Sequence, residues 1–371
     1  MTSTPPSPNE PQPRVPKERR AAPTSTSADA PVRLQTPTMQ PEEAELMGSG
    51  ALAGAAAGAA LGAAVGGPVG VAVGGVVGSV AGAIGGAVAG HRRPVPTDSD
   101  GAPGPVRLHV EDSGGNGRPV VLIHGWPMTA QSWSAQVGPL RAAGWRVVAY
   151  DRRGFGRSDK PATGYDYDTL ADDLARVLTQ YDLHDVTLVG FSMGGGEVAH
   201  YVARHGEARL RALVFASAVP PYLLHSADNP EGPLTPAAAQ QMRQGLEQDR
   251  GAFFEDFTRT FFTAGGVLCV SEAQRTAAIA MCEQSAQHAA LACMDAFAQT
   301  DFRADLTQIT RRTLVLHGDA DAIVPLEGAG QRTHRAVPHS ELVVLPDAPH
   351  GLQVSHADAF NAALLDFLAR S

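Results

Sequence analysis

The stretch VTLVGFSMGGGEVAHYVARHG, residues 186–206, decides how the rest of the chain is read. Its first four residues are apolar or β-branched and read as a buried strand. GGEVAHYVARHG, from residue 195, reads as a helix. Between them GFSMG, residues 190–194, must pass from strand to helix within a few residues. A turn that sharp forces its central residue into strained dihedrals, and flanking glycines keep side chains from clashing there. Ser192 is therefore expected to be held up into a pocket, at a helix N-terminus.

The sequence around this stretch has the same texture. From about residue 105, the apolar runs PVVLIHG, WRVVAYD, ALVFASA, TLVLHG and ELVVLP alternate with longer segments of helical period such as TLADDLARVLTQYDL. Apolar strands joined by helices mean an α/β fold with a mostly parallel sheet covered on both faces. The opening VRLHVEDSG alternates instead, which predicts an antiparallel pair at the sheet edge. The residues from 105 to 371 are enough for one domain of this kind.

A serine hydroxyl is a weak nucleophile and needs a base that is itself oriented by a carboxylate. Both are expected after later strands. TLVLHGDADAIVP supplies a strand and then a loop with Asp319 and Asp321; LVVLPDAPHG supplies a strand and then His350. The chain has 13 histidines, so position singles out His350, while His205, His288 and His334 read as surface residues.

The set HGWP (124–127), DRRGFGRSD (151–159), GFSMGGGEVAHYVARHG, SAVPPYLL (217–224), HGDADAIVP (317–325) and DAPHG (347–351) resembles the α/β-hydrolase superfamily. Within it the chain is similar to the cofactor-free bacterial haloperoxidases, also called non-haem chloroperoxidases or perhydrolases, and to the related aryl esterases. The likeness covers residues 105–371. It implies Ser192 as nucleophile, His350 as general base and Asp321 as orienting acid, three residues after Gly318, with Asp319 the second choice. It also implies an oxyanion hole from the Trp126 and Met193 backbone N–H groups. Trp126, Met193, Phe191 and Pro127 are expected around a small apolar acyl pocket, and the resemblance links Pro127 with peracid formation. Arg152 and Arg153 are read as structural. A helical cap at about 223–312 is expected to choose the substrate.

The activity implied is acyl transfer from small esters or carboxylic acids to water or hydrogen peroxide, without metal or other cofactor. A plain carboxylesterase, aryl esterase or lactonase is the alternative. Relatives of this fold that cleave haloalkanes or epoxides carry aspartate where Ser192 stands. A net charge of -9 and the absence of a basic block argue against nucleic acid as a partner. Cys269, Cys282 and Cys293 fall in one segment of helical pattern and read as reduced core thiols of a cytoplasmic protein.

Residues 1–47 are rich in Pro, Ser, Thr and Glu and read as a disordered tail, with 91–104 as a linker. Between them, residues 48–90 carry no charge, and glycine recurs at every fourth position from Gly50 to Gly90. In a helix those glycines form a ridge that lets backbones approach closely. The tract resembles glycine-zipper segments and predicts a helical hairpin broken at Gly67 and Pro68. Three uses stay open: membrane association, homo-oligomerisation, or a flexible linker. A scaffold carrying a passenger hydrolase is the reading from another class; the intact Ser192, Asp321 and His350 set argues against a degenerate enzyme.

Overall fold

A computed structural model describes Met1 and residues 106–371. The expectations for the tail, for the glycine-repeat hairpin at 48–90 and for the linker at 91–104 lie outside the described residues.

The chain forms β1 (Val110–Asp112), β2 (Pro119–Ile123), α1 (Ser134–Ala142), β3 (Arg146–Tyr150), α2 (Tyr167–Gln180), β4 (Val186–Phe191), α3 (Met193–His205) and β5 (Leu210–Ala216). A mostly helical segment follows: α4 (Pro236–Gln248), α5 (Arg250–Phe261), the small hairpin β6 (Thr263–Ala264) and β7 (Val267–Leu268), α6 (Glu272–Glu283), α7 (Gln287–Gln299) and α8 (Arg303–Leu306). The main sheet then resumes with β8 (Arg312–Gly318), α9 (Gly330–Ala336), β9 (Glu341–Leu345), α10 (Leu352–Ser355) and α11 (Ala357–Ala369).

The seven-stranded sheet has the order β1-β3-β2-β4-β5-β8-β9. All neighbours from β3 to β9 are parallel, and β1 alone runs antiparallel, with Val110 opposite Tyr150. The alternating opening segment is thus the edge strand its pattern predicts. Parallel neighbours require crossovers, and the helices supply them while burying both sheet faces. Every residue of β2 and of β4 is accordingly buried.

Local sequence explains the helices that support the site. In α2 the apolar residues Leu170, Leu174, Val177 and Leu178 turn inward, and Asp166 caps the first turn by accepting from the Thr169 N–H at 2.8 Å. Ser271 and Gln274 form a capping box at the start of α6.

Cys282 and Cys293 are buried free thiols on α6 and α7, and burial pushes the Cys293 thiol up to about 12. Cys269 departs from expectation. It follows β7 outside any helix and is partly exposed. Among the described residues no helix is long and apolar enough to cross a membrane.

Candidate active site

A parallel sheet brings the ends of its strands to one rim, and the groups singled out by the sequence meet there. Ser192 joins β4 to α3 with φ 54° and ψ -119°, in the left-handed half of backbone space that non-glycine residues avoid. The surrounding glycines make this turn feasible. A Cβ on Gly190 would lie 2.5 Å from the Gly194 carbonyl oxygen, and one on Gly194 would lie 2.5 Å from that of Ile123. The Ser192 N–H donates to the Ala216 carbonyl at 2.9 Å, anchoring the turn to β5.

His350 Nε2 lies 2.9 Å from Ser192 Oγ, and His350 Nδ1 lies 2.7 Å from Asp321 Oδ2. All three side chains are buried. The second oxygen of Asp321 accepts from the Ile323 and Val324 N–H groups at 2.9 and 2.8 Å, which fixes the carboxylate plane. Burial acts to raise the Asp321 carboxyl, but the adjoining His350 and His317 outweigh it and hold the group well below the usual carboxylate range. Asp319, the second choice, is exposed and accepts from the Asp347 N–H at 2.7 Å, away from His350.

Two further contacts hold His350. Its ring meets Phe261 edge-on with centroids 5.1 Å apart, and Phe191 lies tilted against it at 5.1 Å. The next residue, Gly351, donates to the Phe261 carbonyl at 2.9 Å; a Cβ there would come within 2.4 Å of the Phe262 ring.

Above Ser192 and His350 lies a cavity of about 220 Å³. Its walls are apolar: Leu223, Leu234, Met242, Phe257 and Phe297 come from residues 223–312, Val219 from the loop after β5, and Ile323 and Val324 from the loop of Asp321. Trp126 also lines it, its indole N–H spent on the Ala290 carbonyl at 2.9 Å. Among the described residues, the Trp126 and Met193 backbone N–H groups have no acceptor, and Met193 is the first residue of α3, where such a donor is free by geometry.

Pro127, Phe191 and Met193 correct the sequence reading: none lines the cavity. Phe191 and Met193 are fully buried, and Phe191 packs edge-on to Trp133 and Phe261. Successive strand residues point to opposite faces, so standing beside Ser192 in sequence sends Phe191 into the core. Pro127 follows Trp126 through a cis peptide bond and is buried.

Arg152 and Arg153 face inward, as structural residues do. Arg152 pairs with Glu197, which also accepts from the Tyr150 hydroxyl at 2.7 Å, and Arg152 Nη2 donates to the His124 carbonyl at 2.6 Å. Arg153 holds Asp173 through two bonds of 2.5 and 2.7 Å. His205 and His288 are exposed, and His334 is partly exposed.

The sequence reading overlooked Glu197 and His317. His317 is fully buried, with Nε2 2.8 Å from the Val324 carbonyl and 3.4 Å from Asp321 Oδ2. The contact with the Val324 carbonyl ties His317 to the loop that carries the acid and sets its ring beside Asp321. Its place immediately before Gly318 was the available signal.

A family model described as alpha/beta hydrolase fold matches residues 118–357. The chain belongs to the α/β-hydrolase family. Non-heme chloroperoxidase CPO-A1 of Kitasatospora aureofaciens is 41% identical over 278 residues, which is 74% of this chain and 99% of that protein. The bifunctional esterase/perhydrolase DCH of Acinetobacter calcoaceticus is 35% identical over 267 residues, 71% of this chain and 96% of its own. The solved structure of a bromoperoxidase from Bacillus anthracis matches with a TM-score of 0.70 at 48% identity, covering 71% of this chain and 96% of that one.

Proposed function

We propose that this chain is a serine acyl-transfer hydrolase of small acyl esters and carboxylic acids that passes the acyl group to water or to hydrogen peroxide. The observation that carries the reading is the continuous hydrogen-bonded series Ser192, His350, Asp321 beneath an apolar cavity. Relatives named as chloroperoxidases and as an esterase/perhydrolase support both acceptors.

In the first half-reaction Ser192 Oγ bonds to the acyl carbon while its proton passes to His350 Nε2. Asp321 holds the other ring nitrogen and stabilises the imidazolium. The negative oxygen of the tetrahedral intermediate accepts from the Trp126 and Met193 N–H groups, donors that match the charge only once it forms. Collapse breaks the bond from the acyl carbon to the leaving oxygen, and His350 returns the proton to it, so that an ester releases its alcohol and a carboxylic acid releases water.

In the second half-reaction His350 removes a proton from water or hydrogen peroxide, whose oxygen attacks the acyl-serine. Ser192 leaves with the proton from His350, and the product is a carboxylic acid or a peracid. A peracid then transfers its terminal oxygen to bromide, giving hypobromite and the carboxylic acid, a step that occurs away from the protein.

The test is one preparation assayed for short aryl ester cleavage and for bromination dependent on hydrogen peroxide and acetate, beside Ser192→Ala. Both activities are expected, and both are expected to vanish in the variant. Ester cleavage alone makes the chain an esterase; activity retained by Ser192→Ala removes the acyl-serine.

For residues 48–90 the sequence alone supports a role in gathering or tethering the catalytic domain. Sedimentation of the full chain with membranes, or as an oligomer, beside residues 105–371 alone tests it.

A further inference from the structure

A second cavity of about 240 Å³ abuts the one above Ser192, and the two share the side chains of Leu234, Met242 and Phe297 as a common wall. The first cavity alone falls below the roughly 300–1,000 Å³ of ordinary ligand pockets, whereas the two together enter that range. A substrate confined to the first cavity would be very small.

The three shared side chains are not equally fixed. Phe297 meets Trp126 edge-on with centroids 5.6 Å apart. Leu234 is held by its backbone, donating to the Leu223 carbonyl at 2.9 Å and accepting from the His225 N–H at 2.7 Å. Met242 stands on α4, partly exposed, and its unbranched side chain turns about three bonds. It is the member of the wall that can swing aside.

Beyond Met242 the lining is mostly apolar, with Leu224, Ala239, Met294 and Ala298, and Arg243 bridges to Asp295 on α7 at 2.5 Å. That pair ties α4 to α7 in the wall of the second cavity.

We infer that the second cavity is a subsite for the tail of an unbranched, medium-length acyl chain, and that Met242 is the gate through which the tail passes. The inference rests on the acyl-transfer reading above. It extends the donors from short esters to esters of medium-chain carboxylic acids, with the carbonyl at Ser192 and the chain passing Met242.

The experiment compares kcat/KM for p-nitrophenyl acetate and p-nitrophenyl octanoate within each protein, and reads their ratio. Met242→Ala opens the partition, and the octanoate-to-acetate ratio is expected to rise about tenfold; Ala239→Trp fills only the second cavity, and the ratio is expected to fall by a similar factor. A rise in octanoate turnover cannot come from misfolding. If wild type cleaves the acetate ester and neither variant moves the ratio, the subsite is overturned while acyl transfer stands. If wild type cleaves neither ester, both readings fall together.

Discussion

Glu197 stands on the helix that begins directly after Ser192, and its carboxylate closes on the guanidinium of Arg152 with both side chains shut off from solvent. The pair fixes α3 to the loop after β3 from beneath the nucleophile turn. Removing one partner of a buried pair leaves the other uncompensated, which typically costs about 3–5 kcal/mol. Glu197→Ala should lower unfolding free energy in urea by that order, and Arg152→Met with Glu197→Leu should recover part of it. A single variant as stable as wild type would sink this account.

Asp321→Asn should keep the fold and leave His350 in the wrong tautomer, with kcat falling about 10⁴-fold. Asp319→Asn should retain kcat near the wild-type value, since Asp319 meets the Asp347 backbone and not the imidazole. Steady-state kinetics on an aryl ester separate the two. Equal losses would return the choice of acid to an open question.

Gly194→Ala tests the close approach of the nucleophile turn to β2. The new methyl group would stand 2.5 Å from the Ile123 carbonyl oxygen, and backbone cannot yield as a side-chain end can. The expected loss is about 1–3 kcal/mol, with reduced kcat because the Ser192 turn shifts. Thermal unfolding and ester turnover measured on the same sample check both parts.

His200 gives a pH signature to stability. Its Nδ1 lies 2.8 Å from Asp305 and its Nε2 2.6 Å from Asp168, whose other oxygen faces Arg204 at 3.4 Å. The Asp305 bond, opposed by partial burial and reinforced by Asp168, raises the imidazole above its ordinary value. A raised folded value means that the contribution is full below the unfolded value of about 6.5 and is lost as pH rises through the folded one. The stability difference between wild type and His200→Gln, from urea titrations at several pH values, should therefore shrink as the solution becomes alkaline. A difference constant with pH would rule the clamp out.

The sheet was readable in the sequence because each parallel strand is built on a short run of apolar residues, and alternation marked the single antiparallel edge. Ser192, Asp321 and His350 could be placed together for the same reason: each follows such a run, and parallel strands end at one rim. Of the cavity wall, Trp126 was legible from its place after the first strand, and most of the rest was not. Leu223, Met242, Phe257 and Phe297 come from helices and loops whose inward faces are set by packing against distant elements. Glu197 escaped notice because a helical glutamate is ordinarily solvated, and only the arrival of Arg152 from another loop makes it a buried anchor.

The contact of Gly351 with Phe261 and Phe262 has an outcome for protein engineering. The end of α5 belongs to the segment that forms much of the cavity wall, yet it also braces the loop that carries His350. Substrate selection and proton transfer are thus not interchangeable modules. A chimera that imports this segment from a relative must also carry at position 351 a residue that fits the imported 261 and 262, or it will acquire a new pocket above a misaligned base.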